Sequence, residues 1–297
     1  MFVNDKVSEM SFCLQPEAHS HRNQPLHLMT PRPTKNTARL SCNRYVFPLL
    51  ALTRREISKR YASTWLGTLW TVLQPLLMMA IYLTLFGVIL RQGRTIEDTR
   101  LFALYLLAGL APFQAMADGL HRACGCLRED QSLMTYETFP AAVIPVSRIL
   151  TASIPEAVSL LLLGIAAHVW TDNGQPLGLL SLPLLMVLRI FMTCGLAWLI
   201  SVLAIFAADV GEVLSFLLTG WMFVTPIFYT PEQLPSALTW TLDLNPLYHI
   251  IHGYRAALFD EPFPLRALTG TTAWSLGISG VGLWFFRLSI NRAKDFL

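Results

Sequence analysis

Five stretches of this chain run for 17 to 29 residues without a single Asp, Glu, Lys or Arg: Ala62–Leu90, Leu101–Ala117, Ile190–Ala208, Val213–Pro231 and Ala267–Phe286. Crossing about 30 Å of hydrocarbon at about 1.5 Å per residue takes about 20 apolar residues, so runs of this length read as membrane spans. A sixth lies in Val143–Trp170, interrupted by Arg148 and Glu156 near its start and clean through Leu160 to Leu163. Backbone inside lipid must satisfy its own polar groups, which leaves helices and closed barrels. These runs are continuous and Leu-rich, without the alternating ten-residue segments of a membrane barrel. The expectation is an all-α integral membrane protein with six transmembrane helices at about 68–90, 101–118, 148–170, 184–206, 213–230 and 267–287. In that map Arg189 lies close to one end of its span, where a long side chain can snorkel to the interface. Composition agrees: 14% of residues are charged against about a quarter in soluble domains, and 54% are hydrophobic, which excludes a disordered chain.

The net charge of +3 hides a strong asymmetry. Of 22 Lys and Arg, 16 fall before the first span, between the second and third, or after the sixth, with five in the alternate connections and Arg189 within a span. The positive-inside rule then predicts that both termini are cytoplasmic, as six spans require. Residues 1–43, which contain no apolar leader core, are expected to form a polar, poorly ordered tail ahead of a membrane domain over 44–297.

Two further segments are neither spans nor plain loops. Residues 44–61 place Val46, Leu49, Leu50, Ile57 and Tyr61 near helical spacing, with Arg54, Arg55, Lys59 and Arg60 beside them. This suits an amphipathic helix in the cytoplasmic interface, its basic side toward anionic headgroups, or a simple topology anchor, and the two are compatible. Residues 231–266 alternate prolines with short apolar stretches. Asn245-Pro246 is a helix start, Asn as cap and Pro at the first position, leading into Ile250, Ile251, Tyr254 and Leu258. That helix is too short to cross, so short re-entrant or interfacial helices are expected between the fifth and sixth spans. Arg255 on it is either a snorkelling anchor or a group facing an anionic substrate.

Several chemistries are missing. The four lysines occur in no G-x-x-x-x-G-K-[ST] pattern, so there is no P-loop with which to hydrolyse ATP. Cys124-Gly-Cys126 with His121 lacks zinc-ribbon spacing and a fourth ligand, and no metal site, disulfide or cofactor is expected. Gly277-Ile278-Ser279-Gly280 looks like the serine motif of an intramembrane protease, but no His follows His252 to act as base. Ser275, Gly277, Ser279 and Gly280 more simply let helices approach closely. His249 and His252 read as capping or interfacial polarity, with metal binding or proton relay as the other possibility.

Three stretches resemble one family. Arg54-Arg55-Glu56-Ile57-Ser58-Lys59-Arg60-Tyr61 with Leu66-Gly67, Trp70 and Gln74-Pro75 is similar to the start of the type-2 ABC permeases that export polysaccharides. Leu107-Ala108-Gly109-Leu110-Ala111-Pro112-Phe113, Phe139-Pro140 and Ile144-Pro145 resemble their second and third spans. Thr225-Pro226-Ile227-Phe228-Tyr229, Leu234-Pro235 and Asn245-Pro246-Leu247 with Arg255 resemble their fifth span and outer segment, and the likeness covers about 44–290.

The resemblance implies a homodimeric permease in the cytoplasmic (inner) membrane. It would pair with a separate ATP-binding-cassette subunit that binds ATP and Mg, and move a lipid-linked glycan such as O-antigen, capsule or teichoic acid outward. It is not an enzyme and takes no nucleic acid. The resemblance assigns Arg122 to Glu137 to a coupling helix on the ATPase, with Arg122, Arg128, Glu129, Asp130 and Glu137 offering both charge signs for docking. Many relatives carry a basic pair just before the Phe-Pro, where this chain has Tyr136-Glu137-Thr138. Tyr82, Phe86, Trp221, Phe223, Phe228 and Tyr229 are expected either to line a channel and stack on sugars or to form an interfacial aromatic belt. Asn245, Pro246 and Arg255 fall in the outer gate helix. A permease for a drug or lipid is the alternative, and an intramembrane enzyme, which would need ionisable groups converging within the spans, a remote one.

Overall fold

The computed structural model describes residues 37–62, 64–85, 96–136, 138–170, 181–259, 265–294 and 296. Phe86, Glu137 and residues 1–36 of the expected tail lie outside them. The regular structure of the described residues is helical, in ten α-helices: α1 (Thr37–Ala62), α2 (Trp70–Thr84), α3 (Ile96–Glu129), α4 (Gln131–Met134), α5 (Val143–Trp170), α6 (Ser181–Phe206), α7 (Val210–Val224), α8 (Trp240–Leu244), α9 (Pro246–Leu258) and α10 (Leu265–Lys294). Short 3₁₀ turns at Gly67–Leu69, Pro231–Gln233 and Ser236–Leu238 join them.

Five helical stretches are long and apolar enough to cross a membrane: Gly67–Thr84, Arg100–Glu129, Val143–Trp170, Ser181–Phe206 and Leu268–Lys294. The stretch expected to be the fifth of six spans, 213–230, differs. Its helix α7 stops at Val224 after 15 residues, about 22 Å at about 1.5 Å per residue and short of the hydrocarbon thickness. The reason is Pro226, which disfavours helical geometry at the residue before it, and Thr225 is indeed extended at φ −84°, ψ 134°. In the other direction, α3 continues 11 residues past the expected end at 118, carrying Arg122, Arg128 and Glu129 out on the same rigid helix.

The core is built around α3. Leu104, Leu107, Leu110, Met116 and Leu120 pack against Ile149 and Leu163 of α5, Leu185 and Met192 of α6, and Leu247, Ile250, Ile251 and Tyr254 of α9. A second cluster at the α1 end joins Leu52, Leu127, Met134, Ile144, Val202 and Phe286. The closest crossing is α6 on α10. A Cβ on Gly282 would overlap the Gly195 carbonyl, a Cβ on Gly195 would overlap the backbone of Ile278, and Ser279 Oγ donates to the Phe191 carbonyl at 2.6 Å. Close approach thus uses Gly195, Ser279 and Gly282. Gly277 and Gly280, expected to share in it, have nothing within 4 Å of a built Cβ. α9 is enclosed nearly all round, with ten of its 13 residues buried, which a helix too short to span needs if it is to sit at membrane depth.

Candidate functional site

At the α1 end of the bundle, charged side chains from three elements meet. α1 supplies Arg55, Glu56 and Lys59, the end of α3 supplies Glu129 with Asp130 just beyond it, and the first turns of α5 supply Arg148. Arg148 is only 3% exposed and is ion-paired to Glu56, to Asp130 at 2.8 Å and to Glu129 at 3.0 Å. Arg55 pairs with Asp130 and Glu56, and Lys59 with Glu56 at 3.4 Å. A second bridge, Arg60 to Asp118 at 2.8 Å, is shared with Arg122, four residues along α3. The basic residues of α1 expected to face headgroups are therefore largely spent on the protein's own carboxylates, with Arg54 left exposed. The opposite face of α1 presents Phe47 and Leu50 outward.

Among the residues the resemblance assigned to docking, Asp130 points into this cluster and Arg128 donates to the Ile205 carbonyl at 2.9 Å, capping the end of α6. Glu129, with its side chain 61% exposed, and Gln131, Ser132, Thr135 and Tyr136 form the outward rim of the α3–α4 corner.

Deep in the bundle a second polar cluster forms where sequence reasoning had placed ionisable groups near span ends. Glu156 stands near the middle of α5, 2% exposed, and pairs with Arg189 of α6, which is 0% exposed. Tyr254 of α9 donates to Glu156 at 3.1 Å, and Arg189 donates to Ser153 Oγ at 2.6 Å. These intramembrane ionisable groups do converge, and they neutralise each other. Arg189 does not snorkel, because its helix begins at Ser181 and holds it two turns in. A cavity of about 280 Å³ lies between α2, α3 and α5, with Arg60 and Asp118 at one end, Gln74 and Gln114 along it and Glu156 in its wall.

At the far end, Asn245 does more than cap. Its Oδ1 accepts from Leu247 N at 3.1 Å and from the Trp221 indole at 2.9 Å, while its Nδ2 donates to Thr225 Oγ1 at 2.8 Å. Pro246 occupies the first turn of α9 as expected for a residue without an N–H. Arg255 takes neither place foreseen for it. It is buried, donating to the carbonyls of Pro226 at 2.7 Å and Ile227 at 3.0 Å, and to the hydroxyl and carbonyl of Tyr105, with its guanidinium 3.5 Å from the Tyr105 ring centre. It thereby satisfies two carbonyls that have no helical partner where the chain turns out of α7 at Pro226. The signal for this pairing, Thr-Pro followed some 29 residues later by an Arg, is not recognisable without the fold.

The expected channel aromatics separate. Trp221 is tied to Asn245, Tyr229 donates to the Phe223 and Val224 carbonyls at 3.3 and 3.2 Å, and Phe223 packs on Phe228 with ring centres 6.0 Å apart. Tyr82 packs against the core from α2. His249 donates to the Asp243 carbonyl at 2.9 Å and His252 stacks on Tyr248. His121 bonds the Ala117 carbonyl and Ser215 rather than turning to Cys124 and Cys126. Among the described residues no three His, Cys, Asp or Glu gather as metal ligands.

These elements agree with the chain's likeness to known proteins. It is 30% identical to the O-antigen export system permease protein RfbA of Myxococcus xanthus over 221 residues, 73% of this chain and 82% of that one. It is 25% identical to the RfbA of Klebsiella pneumoniae over 241 residues, covering 79% and 91%. To the polysialic acid transport protein KpsM of Escherichia coli it is 32% identical over 215 residues, covering 70% and 80%. A family profile described as ABC-2 type transporter matches residues 48–259, from α1 through α9, and the chain therefore belongs to the ABC-2 type transporter membrane family.

Proposed function

We propose that this chain is the membrane-spanning subunit of an ATP-driven exporter that moves a lipid-linked polysaccharide outward across the cytoplasmic membrane. The observation that carries the reading is its likeness, over most of both chains, to permeases of O-antigen and polysialic acid export. The absent P-loop puts ATP and Mg in a separate ATP-binding-cassette subunit. That subunit docks on the α3–α4 corner, where Arg122, Arg128, Glu129, Asp130 and Glu137 cluster in sequence and Glu129 and Tyr136 stand exposed. The working unit is a homodimer. Large apolar side chains exposed on α2 (Leu76, Leu77, Ile81) and α7 (Val213, Phe216, Leu217, Phe223) are surfaces a second copy covers. Thr225 to Tyr229, in turns rather than helix, complete the fifth of six spans, leaving both termini cytoplasmic. Tyr82, Trp221, Phe223, Phe228 and Tyr229, with Phe86 grouped with them by sequence alone, are the side chains assigned to the polymer, whose stacking on sugar faces is weak enough to let it slide.

Deleting the gene and labelling surface glycan tests this. Loss of surface polysaccharide, with the chain co-purifying with an ATP-binding-cassette subunit, is the expected result. Unchanged glycan with altered drug resistance or lipid distribution points to a permease for those substrates, and export without any such subunit refutes the reading.

A further inference from the structure

The ion cluster at the α1 end joins the three elements on which the proposed docking corner stands. Its charges balance: Arg55, Lys59 and Arg148 against Glu56, Glu129 and Asp130. Glu56, Asp130 and Arg148 are all buried. Long surface pairs contribute little, but a buried pair whose partner is removed leaves an uncompensated charge, so these groups hold one arrangement. α1 is fixed at two further points, by Arg44 donating to the Thr138 carbonyl at 3.2 Å and by Arg60 to Asp118 at 2.8 Å.

The other end of α1 leads straight into the first span. Thr64 N donates to the Tyr61 carbonyl at 3.2 Å and Gly67 N to the Thr64 carbonyl at 3.1 Å. Gly67 then adopts φ +54°, a left-handed conformation that glycine takes without strain. Thr71, on the first turn of α2, donates to the Tyr61 hydroxyl at 2.8 Å. Thr71 is also the one buried residue of α2, while Met78, Met79 and Tyr82 further along pack against the core, so α1 holds the start of this span and the bundle holds its later turns.

We infer that α1 is a lever: Glu56 and Arg55 lock it to the α3–α4–α5 corner through Arg148 and Asp130, and the Tyr61–Thr71 turn passes the corner's movement to the first span. Coupling of this kind needs a rigid element whose position both sites bias. A helix gripped along its length and jointed at Gly67 has that form. Glu56 and Arg55 are thus positioning residues for transport, acting without touching substrate or nucleotide. The inference rests on the proposed pairing with an ATPase at that corner.

The test is the double variant Arg55→Gln with Glu56→Gln, which removes the ion pairs between α1 and the corner but leaves Arg148 paired with Glu129 and Asp130. It is assembled with the ATP-binding-cassette subunit, and ATP hydrolysis and glycan export are both measured. The lever predicts that the complex assembles and hydrolyses ATP while export per ATP falls about tenfold. The conservative pair Arg55→Lys with Glu56→Asp is expected to restore most of it. Should the glutamine pair assemble poorly, Tyr61→Phe, which removes only the acceptor for Thr71, is expected to lower the same ratio. Unchanged export per ATP in these variants, or a loss of hydrolysis and export in step, overturns the lever. Failure of the unaltered chain to bind such a subunit instead overturns the functional reading.

Discussion

Arg189→Met is the substitution whose outcome the structure fixes most tightly. Arg189 and Glu156 have fully buried side chains, and Glu156 accepts from Tyr254 besides. Met nearly matches the Arg stem in volume, so the loss is electrostatic: a carboxylate remains among Leu160, Leu163 and Met192 with Tyr254 as its neighbour. Removing one partner of a buried pair costs about 3–5 kcal/mol. The double variant Glu156→Gln with Arg189→Met leaves no buried charge and should recover most of that, since replacing both members of a pair is often close to neutral. Tyr254→Phe removes one hydrogen bond, worth about 1–2 kcal/mol inside a membrane bundle. Thermal unfolding of the purified chain in detergent reads these directly. Arg189→Met is expected to melt about 10 °C lower, at about 2–4 °C per kcal/mol, with the double variant between it and the parent. A single variant melting within about 2 °C of the parent, or a double variant no better than the single, would refute the buried pair as a coupled unit.

Three further outcomes follow from other contacts. Gly282→Ala places a methyl against the Gly195 backbone and should destabilise by about 1–3 kcal/mol, whereas Gly280→Ala meets nothing and should be neutral or gain up to about 1 kcal/mol in helix propensity; melting of the two variants side by side checks both. Arg255→Met strands the Pro226 and Ile227 carbonyls, at about 1–3 kcal/mol each, and Arg255→Lys should not rescue because an ammonium cannot reproduce the forked donor set; limited proteolysis between Val224 and Asn245 is expected to quicken in both. Asn245→Ala loses the α9 cap, worth about 1 kcal/mol, together with the Trp221 and Thr225 bonds, so its melting point should fall further than a cap alone explains.

Much of the bundle was legible because hydrophobic length is a one-dimensional signal. Apolar runs placed α2, α3, α5, α6 and α10, and Asn245-Pro246 placed the start of α9. Boundaries were less legible. The end of α7 depended on how Pro226 is accommodated, and α3 ran on through Asp118 to Glu129 because a helix continues past the lipid wherever packing supports it, here against Leu52, Met134 and Val202. Side-chain roles were least legible. Arg148, Glu156, Arg189 and Arg255 stood out in the sequence as charges among apolar residues, but the partners on other elements that fix their roles lie 18 to 150 residues away, and no spacing rule reaches that far.

The sequence by itself determined the solvent of this protein and the class of its elements, since a chain with 14% charged residues and long uncharged runs has no other way to satisfy its backbone than as helices in lipid. It also established what the chain lacks, a nucleotide-binding loop. Only the tertiary structure decided which charges are interior ties and which stay exposed: α1's Arg55, Lys59 and Arg60 turned to Asp118, Glu56 and Asp130, and Arg255 turned to the Pro226 and Ile227 carbonyls. A buried charge must find its counterpart wherever the fold brings one near, and that choice is made in three dimensions.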